Sequence, residues 1–185
     1  MSSRINVKSA YDYSKVNDYS FFILSLACLI KAANSIPQFK RRIINNEVIE
    51  FDSVDGVTPI MDEKNEIFRE MRVSPSENFN QWHDEVRDGM NRILSKKQRG
   101  YETYMEERDK DNIINFSCIP WVDFESITTC IVDPHAIQPL ITWGKFNEEY
   151  KMTVAITVNH IFVNGRELGY FYENAQEIFN SPEKL

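Results

Sequence analysis

The residues best suited to chemistry lie together near the C-terminus, in Val158-Asn159-His160-Ile161-Phe162-Val163-Asn164-Gly165. A strongly apolar run ends there at a histidine, and an Asn-Gly turn then opens a helical pattern. Such a junction holds one imidazole at a strand end, between a sheet and a helix N-terminus. Histidine is the side chain whose ordinary pKa lies nearest neutrality, which suits it to moving a proton at pH 7. A histidine satisfied by backbone groups is the structural alternative, and this segment alone leaves both open. A second constellation is Asn115-Phe116-Ser117-Cys118-Ile119-Pro120-Trp121. A strand would deliver Ser117, and Pro120-Trp121 would break and anchor that strand. A hydroxyl on a rigid strand can donate to a developing oxyanion. Equally, Ser117 and Trp121 read as an ordinary strand serine and a core ring. The remaining histidines, His83 and His135, lie in polar or amphipathic surroundings and read as surface residues.

The elements that would position these groups follow from periodicity and breakers. Residues 4–8 alternate as a short strand does, and residues 14–34 read as one helix, with Ser14 or Asp18 near its start, closed by Asn34-Ser35-Ile36-Pro37. Strands are expected at residues 42–44 and 48–51, joined by Asn45-Asn46, and again at residues 57–61. Phe79, Trp82, Val86, Met90 and Ile93 mark an amphipathic helix over residues 79–97. Residues 101–111 are densely charged and read as a solvated surface segment. Strands follow at residues 113–118, 124–129, 139–143 and 152–158, and a helix over residues 166–179 closes the chain. The interleaving predicts an α/β fold with a mixed sheet packed by helices.

Composition narrows the function. A chain of 185 residues supports one sizeable core, so residues 1–185 are expected to form a single domain. The formal charge of −7 lacks the basic footprint that nucleic-acid binding requires. Cys28, Cys118 and Cys130 show no CxxC spacing, which fits reduced thiols in a cytoplasmic protein and suggests no metal site. The first twenty residues carry no apolar signal core, and the run Phe21–Ile30 is about half of what a bilayer needs, so no membrane association is expected.

The segment Asn159-His160-Ile161-Phe162-Val163-Asn164-Gly165 resembles the His-His-x-x-x-Asp-Gly motif of chloramphenicol acetyltransferases, with His160 on the catalytic second histidine. Asn115 to Trp121 resembles that family's Asn-x-Ser-x-x-Pro-Trp segment. Ala33 to Ile43, Glu50 to Val54, Glu66-Ile67-Phe68, Pro139 to Phe146 and Gly169 to Ile178 match further segments in order. The resemblance implies a CoA-dependent acyltransferase fold and an O-acetyltransferase that moves an acetyl group from acetyl-CoA to a small-molecule hydroxyl acceptor. Chloramphenicol or a related compound would be that acceptor, with antibiotic resistance as the outcome. His160 would act as general base, Ser117 as oxyanion donor and Asn164 in place of the acid that orders the site. Trp121, Thr142, Lys145 and Phe146 would lie on the CoA side. Phe68, Tyr104, Asn115 and Ile127 would line the acceptor pocket. The family is trimeric, with its tunnel between subunits, and requires no metal.

Two departures accompany the resemblance. The family carries a helix and a first strand ahead of the point where this sequence starts, including an Arg that pairs with the motif's Asp. The Asp position here is Asn164, and a neutral amide would spare the cost of a buried carboxylate without its cation. Arg4, Lys8 and Arg166 are the cations that could replace that Arg. Glu70 and Ile127 stand where the acceptor pocket usually has a small residue and a Phe. A same-fold acyltransferase with another acceptor, and a catalytically silent ligand-binding homologue, are therefore the competing readings. Retention of both His160 and Ser117 favours an enzyme.

Overall fold

A computed structural model describes residues 1–62, 67–75, 77–95, 111–129 and 138–185. The first half supplies β1 (Ser2–Asn6), α1 (Lys8–Val16), α2 (Phe21–Asn34), a 3-10 turn at Pro37–Lys40, β2 (Arg41–Ile44), β3 (Glu47–Glu50), β4 (Asp55–Asp62) and β5 (Ile67–Val73). The second half supplies α3 (Phe79–Ser95), β6 (Ile113–Ile119), β7 (Leu140–Phe146), β8 (Lys151–Thr157), α4 (Gly165–Asn180) and a closing 3-10 turn at Pro182–Lys184. Six strands form one mixed sheet in the order β1-β8-β7-β6-β4-β5. β7, β6 and β4 run parallel, and the other neighbours are antiparallel. The expected α/β mixed-sheet architecture is therefore present.

Alternation along the strands decides which face is buried by helices. Ile114 and Phe116 of β6, Ile141 and Trp143 of β7, and Val154 and Ile156 of β8 are nearly fully buried. Trp143 stacks on Phe22 of α2, with ring centroids 5.9 Å apart. Gly56 lets α2 come this close, since a Cβ there would stand 2.8 Å from Ile30 Cδ1 and 3.1 Å from Phe116. α4 packs against α2 and β1, and its Phe171 meets Phe39 at 5.6 Å. Each such ring removed from water stabilises the fold by about 1.5–3 kcal/mol.

Several expected boundaries change. The single helix over residues 14–34 is two helices, because Asp18 takes a left-handed backbone (φ 56°) and Asn17 closes α1 through its amide on Tyr13 O (2.9 Å). Ser20 then caps α2, its hydroxyl accepting from Ile23 N. β1 ends at Asn6, whose side chain accepts from Lys8 N at the start of α1 (3.0 Å). The hairpin β2–β3 turns at Asn45-Asn46 as expected, both with positive φ (51° and 65°). β5 pairs with β4 from Gly56 to Asp62, in a segment for which the sequence reading gives no strand. Residues 124–129, expected as a strand, pair with none; Phe124 instead packs against Gly144, and Thr129 shares a hydroxyl contact with Thr157 (2.9 Å). Most of the charged stretch at residues 101–111 lies outside the described residues, as does His135.

Candidate active site

β6 sends Ile114 and Phe116 toward α2, so Asn115 and Ser117 stand on the opposite face of the sheet. Both are half-buried. On that face Ser117 lies beside Thr142 of β7, and Thr142 beside Ala155 of β8. The Thr142 hydroxyl is buried, at 2% residue exposure, and has no hydrogen-bond partner among the described residues. An orphaned buried hydroxyl next to the expected oxyanion donor is the kind of group that a functional site tolerates.

Past β6 the chain turns at Pro120-Trp121, with Val122 N donating to Ile119 O (3.3 Å), and then lies back on β7, where Lys145 N donates to Val122 O (2.9 Å). Gly144 permits this approach, because a Cβ would stand 2.7 Å from Val122 O and 2.8 Å from the Phe124 ring. Arg4 of β1 reaches Asp123 at 3.7 Å and ties down the same segment. Trp121 (65% exposed) and Lys145 are thereby held near one another at the end of β7. Phe146 turns toward the helices. Its ring stands 5.1 Å from Tyr11, 5.5 Å from Phe21 and 5.5 Å from Tyr150, on which it stacks. Lys8 Nζ sits 4.9 Å over Tyr150. Tyr11, Phe21 and Tyr150 carry no sequence signal for this cluster beyond local aromatic density, since only tertiary pairing brings them to β7.

His160 follows β8 in an exposed turn, pinned where Asn159 Oδ1 accepts from Ile161 N (3.0 Å). Thr157 at the end of β8 pairs with Leu140, and Leu140 with Asn115. His160 therefore lies beyond the sheet end where β6 and β7 begin, with β7 between it and the line of Ser117. Two strand spacings alone separate these lines by about 10 Å. Within one chain the expected base and the expected donor are not in contact.

Asn164 is exposed and caps α4. Its Oδ1 accepts from Arg166 N (2.9 Å), and Glu167 Oε2 accepts from Asn164 N (3.0 Å), which completes a capping box. Within one copy the side chain is solvated, and the helix start selects a short polar residue, so an amide spares no buried charge inside a single chain. The cations offered as substitutes are engaged elsewhere, Arg4 with Asp123, Lys8 with Asp12 (2.6 Å) and Arg166 with the Tyr170 hydroxyl (3.1 Å).

Of the expected acceptor-side residues, Asn115 lies on β6 and Ile127 is half-buried in the irregular segment beyond it. Phe68 is 61% exposed on β5, two strands away from β6, on the face that also carries Glu70. Tyr104 lies outside the described residues. His83, expected at the surface, is 1% exposed on α3, where its Nε2 accepts from Ser20 N (3.0 Å). Its apolar setting comes from Phe79, one turn earlier on the same helix face, and from Tyr19, which the helical period of residues 79–97 does not show.

The model of the family described as chloramphenicol acetyltransferase matches residues 1–176. Chloramphenicol acetyltransferase 3 of Escherichia coli is 22% identical over 188 residues, spanning 100% of this chain and 86% of its own length. A solved chloramphenicol acetyltransferase superposes with a TM-score of 0.86 at 27% identity, over 97% of this chain and 86% of its own. A probable dihydrolipoamide acetyltransferase from Listeria monocytogenes (TM-score 0.69, 10% identity, 98% of this chain and 83% of its own) shares the fold. The strand order, the Ser117–Trp121 turn and the His160–Gly165 junction thus sit in a chain that belongs to the chloramphenicol acetyltransferase family, a family of acetyltransferases.

Proposed function

We propose that the protein transfers the acetyl group of acetyl-CoA to the hydroxyl of a small-molecule acceptor, chloramphenicol or a related compound. The site would be assembled between copies of residues 1–185, acting as a single domain in a cytoplasmic homotrimer. The observation that carries this reading is the pair Ser117 and Thr142, a donor beside an unpartnered buried hydroxyl, together with an imidazole left exposed out of its reach. Ser117 of one copy facing His160 of the next would close the site. Exposed Trp121 (65%), Val122 (49%) and Ile161 (60%) supply apolar surface for such a contact. Cys28 and Cys118 are free, which agrees with a reducing compartment. Among the described residues no helix is long and apolar enough to cross a membrane.

Acetyl-CoA is read as substrate, and residues of this chain suit it. Lys145 is an exposed cation beside Trp121, and the Tyr11–Phe21–Phe146–Tyr150 cluster with Lys8 offers aromatic surface and positive charge. In the proposed step the neutral His160 imidazole takes the acceptor's hydroxyl proton as its oxygen bonds to the thioester carbonyl carbon. Ser117 Oγ donates to the carbonyl oxygen as it gains negative charge, a contribution of about 3–4 kcal/mol for a single such donor. The C–S bond then breaks, and the imidazolium returns its proton to the departing thiolate. No metal enters this chemistry. Glu70 on the face of Phe68 favours testing acceptors other than chloramphenicol alongside it.

The experiment is thiol release from acetyl-CoA with a panel of hydroxyl acceptors that includes chloramphenicol. Acceptor-dependent release is expected, and His160→Ala lowers it by about 10²–10⁴-fold with the fold intact. Wild-type turnover in His160→Ala would remove the base from this account. Absence of release with every acceptor would leave the silent homologue.

A further inference from the structure

The buried histidine of α3 has no part in the chemistry above. His83 is 1% exposed, flanked by Tyr19 at 4.9 Å and Phe79 at 5.8 Å. Nε2 accepts from the backbone N–H of Ser20 (3.0 Å), so that nitrogen carries a lone pair and the proton sits on Nδ1, 3.3 Å from Asp84 Oδ1. Ser20 is the N-cap of α2. The next two residues carry the rings that meet β7: Phe21 packs edge-on against Phe146 (5.5 Å), and Phe22 stacks on Trp143 (5.9 Å). One imidazole lone pair on α3 therefore fixes the residue from which α2 presents two aromatic side chains to the strand bearing Lys145 and Phe146.

We propose that His83 is a positioning residue for the cosubstrate side of the site: by accepting from Ser20 it sets the start of α2 and, through Phe21, the half-buried ring cluster around Phe146 that is offered to acetyl-CoA. The inference rests on the acetyl-CoA reading above. The imidazole serves only while Nε2 is an acceptor. Protonated, it becomes a second donor aimed at the Ser20 N–H, two donors face each other, and the cap must give way. The charged and titratable groups around it are Asp84 on α3, which is itself paired with Arg87 (2.9 Å), and the Tyr19 phenol from the α1–α2 connection. α2 contributes Ser20, and the first turn of α3 contributes Phe79. Asp84 is exposed, so the Nδ1 side offers solvent and a carboxylate while the Nε2 side offers only a donor.

Two substitutions separate this role from simple filling of the core. His83→Gln places an amide oxygen where Nε2 stands and does not titrate, whereas His83→Phe keeps a buried ring and leaves the Ser20 N–H unsatisfied. For His83→Phe the expected result is a rise in KM for acetyl-CoA of about five- to tenfold, with kcat changed less than about twofold, because loss of one buried acceptor is felt in binding. His83→Gln keeps the wild-type KM at pH 7.5. An unchanged KM in His83→Phe, or a rise in His83→Gln as large as that in His83→Phe, overturns the proposal. If His83→Phe does not fold, His83→Leu makes the same comparison with His83→Gln. Amide hydrogen exchange at Ser20 gives a readout independent of turnover. At a fixed pH it should quicken in His83→Phe and keep the wild-type rate in His83→Gln, and equal behaviour in the two variants overturns the proposal even if the protein transfers no acetyl group.

Discussion

Cys118 neighbours Ser117 on β6 but occupies the opposite face, and burial pushes its thiol from 9.0 up to about 12. Burial drives the fully buried Cys28 thiol upward as well, and likewise the Tyr172 phenol, which donates to Val154 O (2.9 Å). The fold keeps these protons where the unfolded chain releases them. Their contribution to stability is complete below the ordinary thiol pKa near 9 and declines as pH rises from there. Arg42 acts with the opposite sign. Desolvation lowers its guanidinium from 12.5 to about 10, so the folded chain gives up that proton first and stability recovers somewhat above pH 10. The clean window is therefore pH 8 to 10. Urea denaturation should show a lower midpoint at pH 9.8 than at pH 8.0 with an unchanged slope, and equal midpoints would mean that the thiols are not buried in solution. At this scale the sequence identifies groups and leaves their surroundings dark: His83 reads as a surface residue because Tyr19 and Ser20, which cover it, come from a distant segment.

At the scale of elements, what is legible depends on whether the signal is local. The Asn45-Asn46 turn, the start of α3 at Phe79 and the apolar runs of β6, β7 and β8 are written in nearby residues and appear close to their expected positions. The break between α1 and α2 is written there only in part: Asp18 and Ser20 are residues that start helices, but nothing local shows the left-handed backbone at Asp18 that ends α1. Residues 124–129 have strand composition, yet Gly144 gives Phe124 a packing site on the sheet face that replaces edge pairing. Asn164 belongs to this scale too. As an exposed N-cap it is interchangeable with Asp, since both accept from the first turn and a carboxylate there is favoured by the helix dipole. Repulsion from Glu167, whose carboxylate accepts from Asn164 N, offsets part of that gain. Thermal melts at pH 7 should place Asn164→Asp within about 0.5 kcal/mol of wild type and Asn164→Ala about 1 kcal/mol below it. A carboxylate stabilised at a helix start has a lowered pKa, so its benefit is present above the ordinary Asp pKa near 4 and lost below it. An Asn164→Asp deficit that grows with rising pH would instead mean that the side chain is buried against another copy.

For the whole molecule, the sequence resemblance implies which residues matter, and the register of the sheet sets two of them apart within one copy. Ser117 stands on the open face of β6, and His160 stands in a turn beyond the end of β8, with β7 between them. No periodicity or motif spacing discloses that separation, because it follows from strand order, which tertiary packing decides. The central claim is that the two residues meet across a subunit boundary in a closed ring of copies, a heterologous contact. Refolding Ser117→Ala and His160→Ala chains together in equal amounts tests it most directly. Each variant alone lacks one half of every site. In mixed trimers, a site that takes its serine from one chain and its histidine from the next is complete about one time in four, so about a quarter of wild-type thiol release should return. Co-refolded chains that form trimers yet stay as inactive as either variant alone would contradict the account.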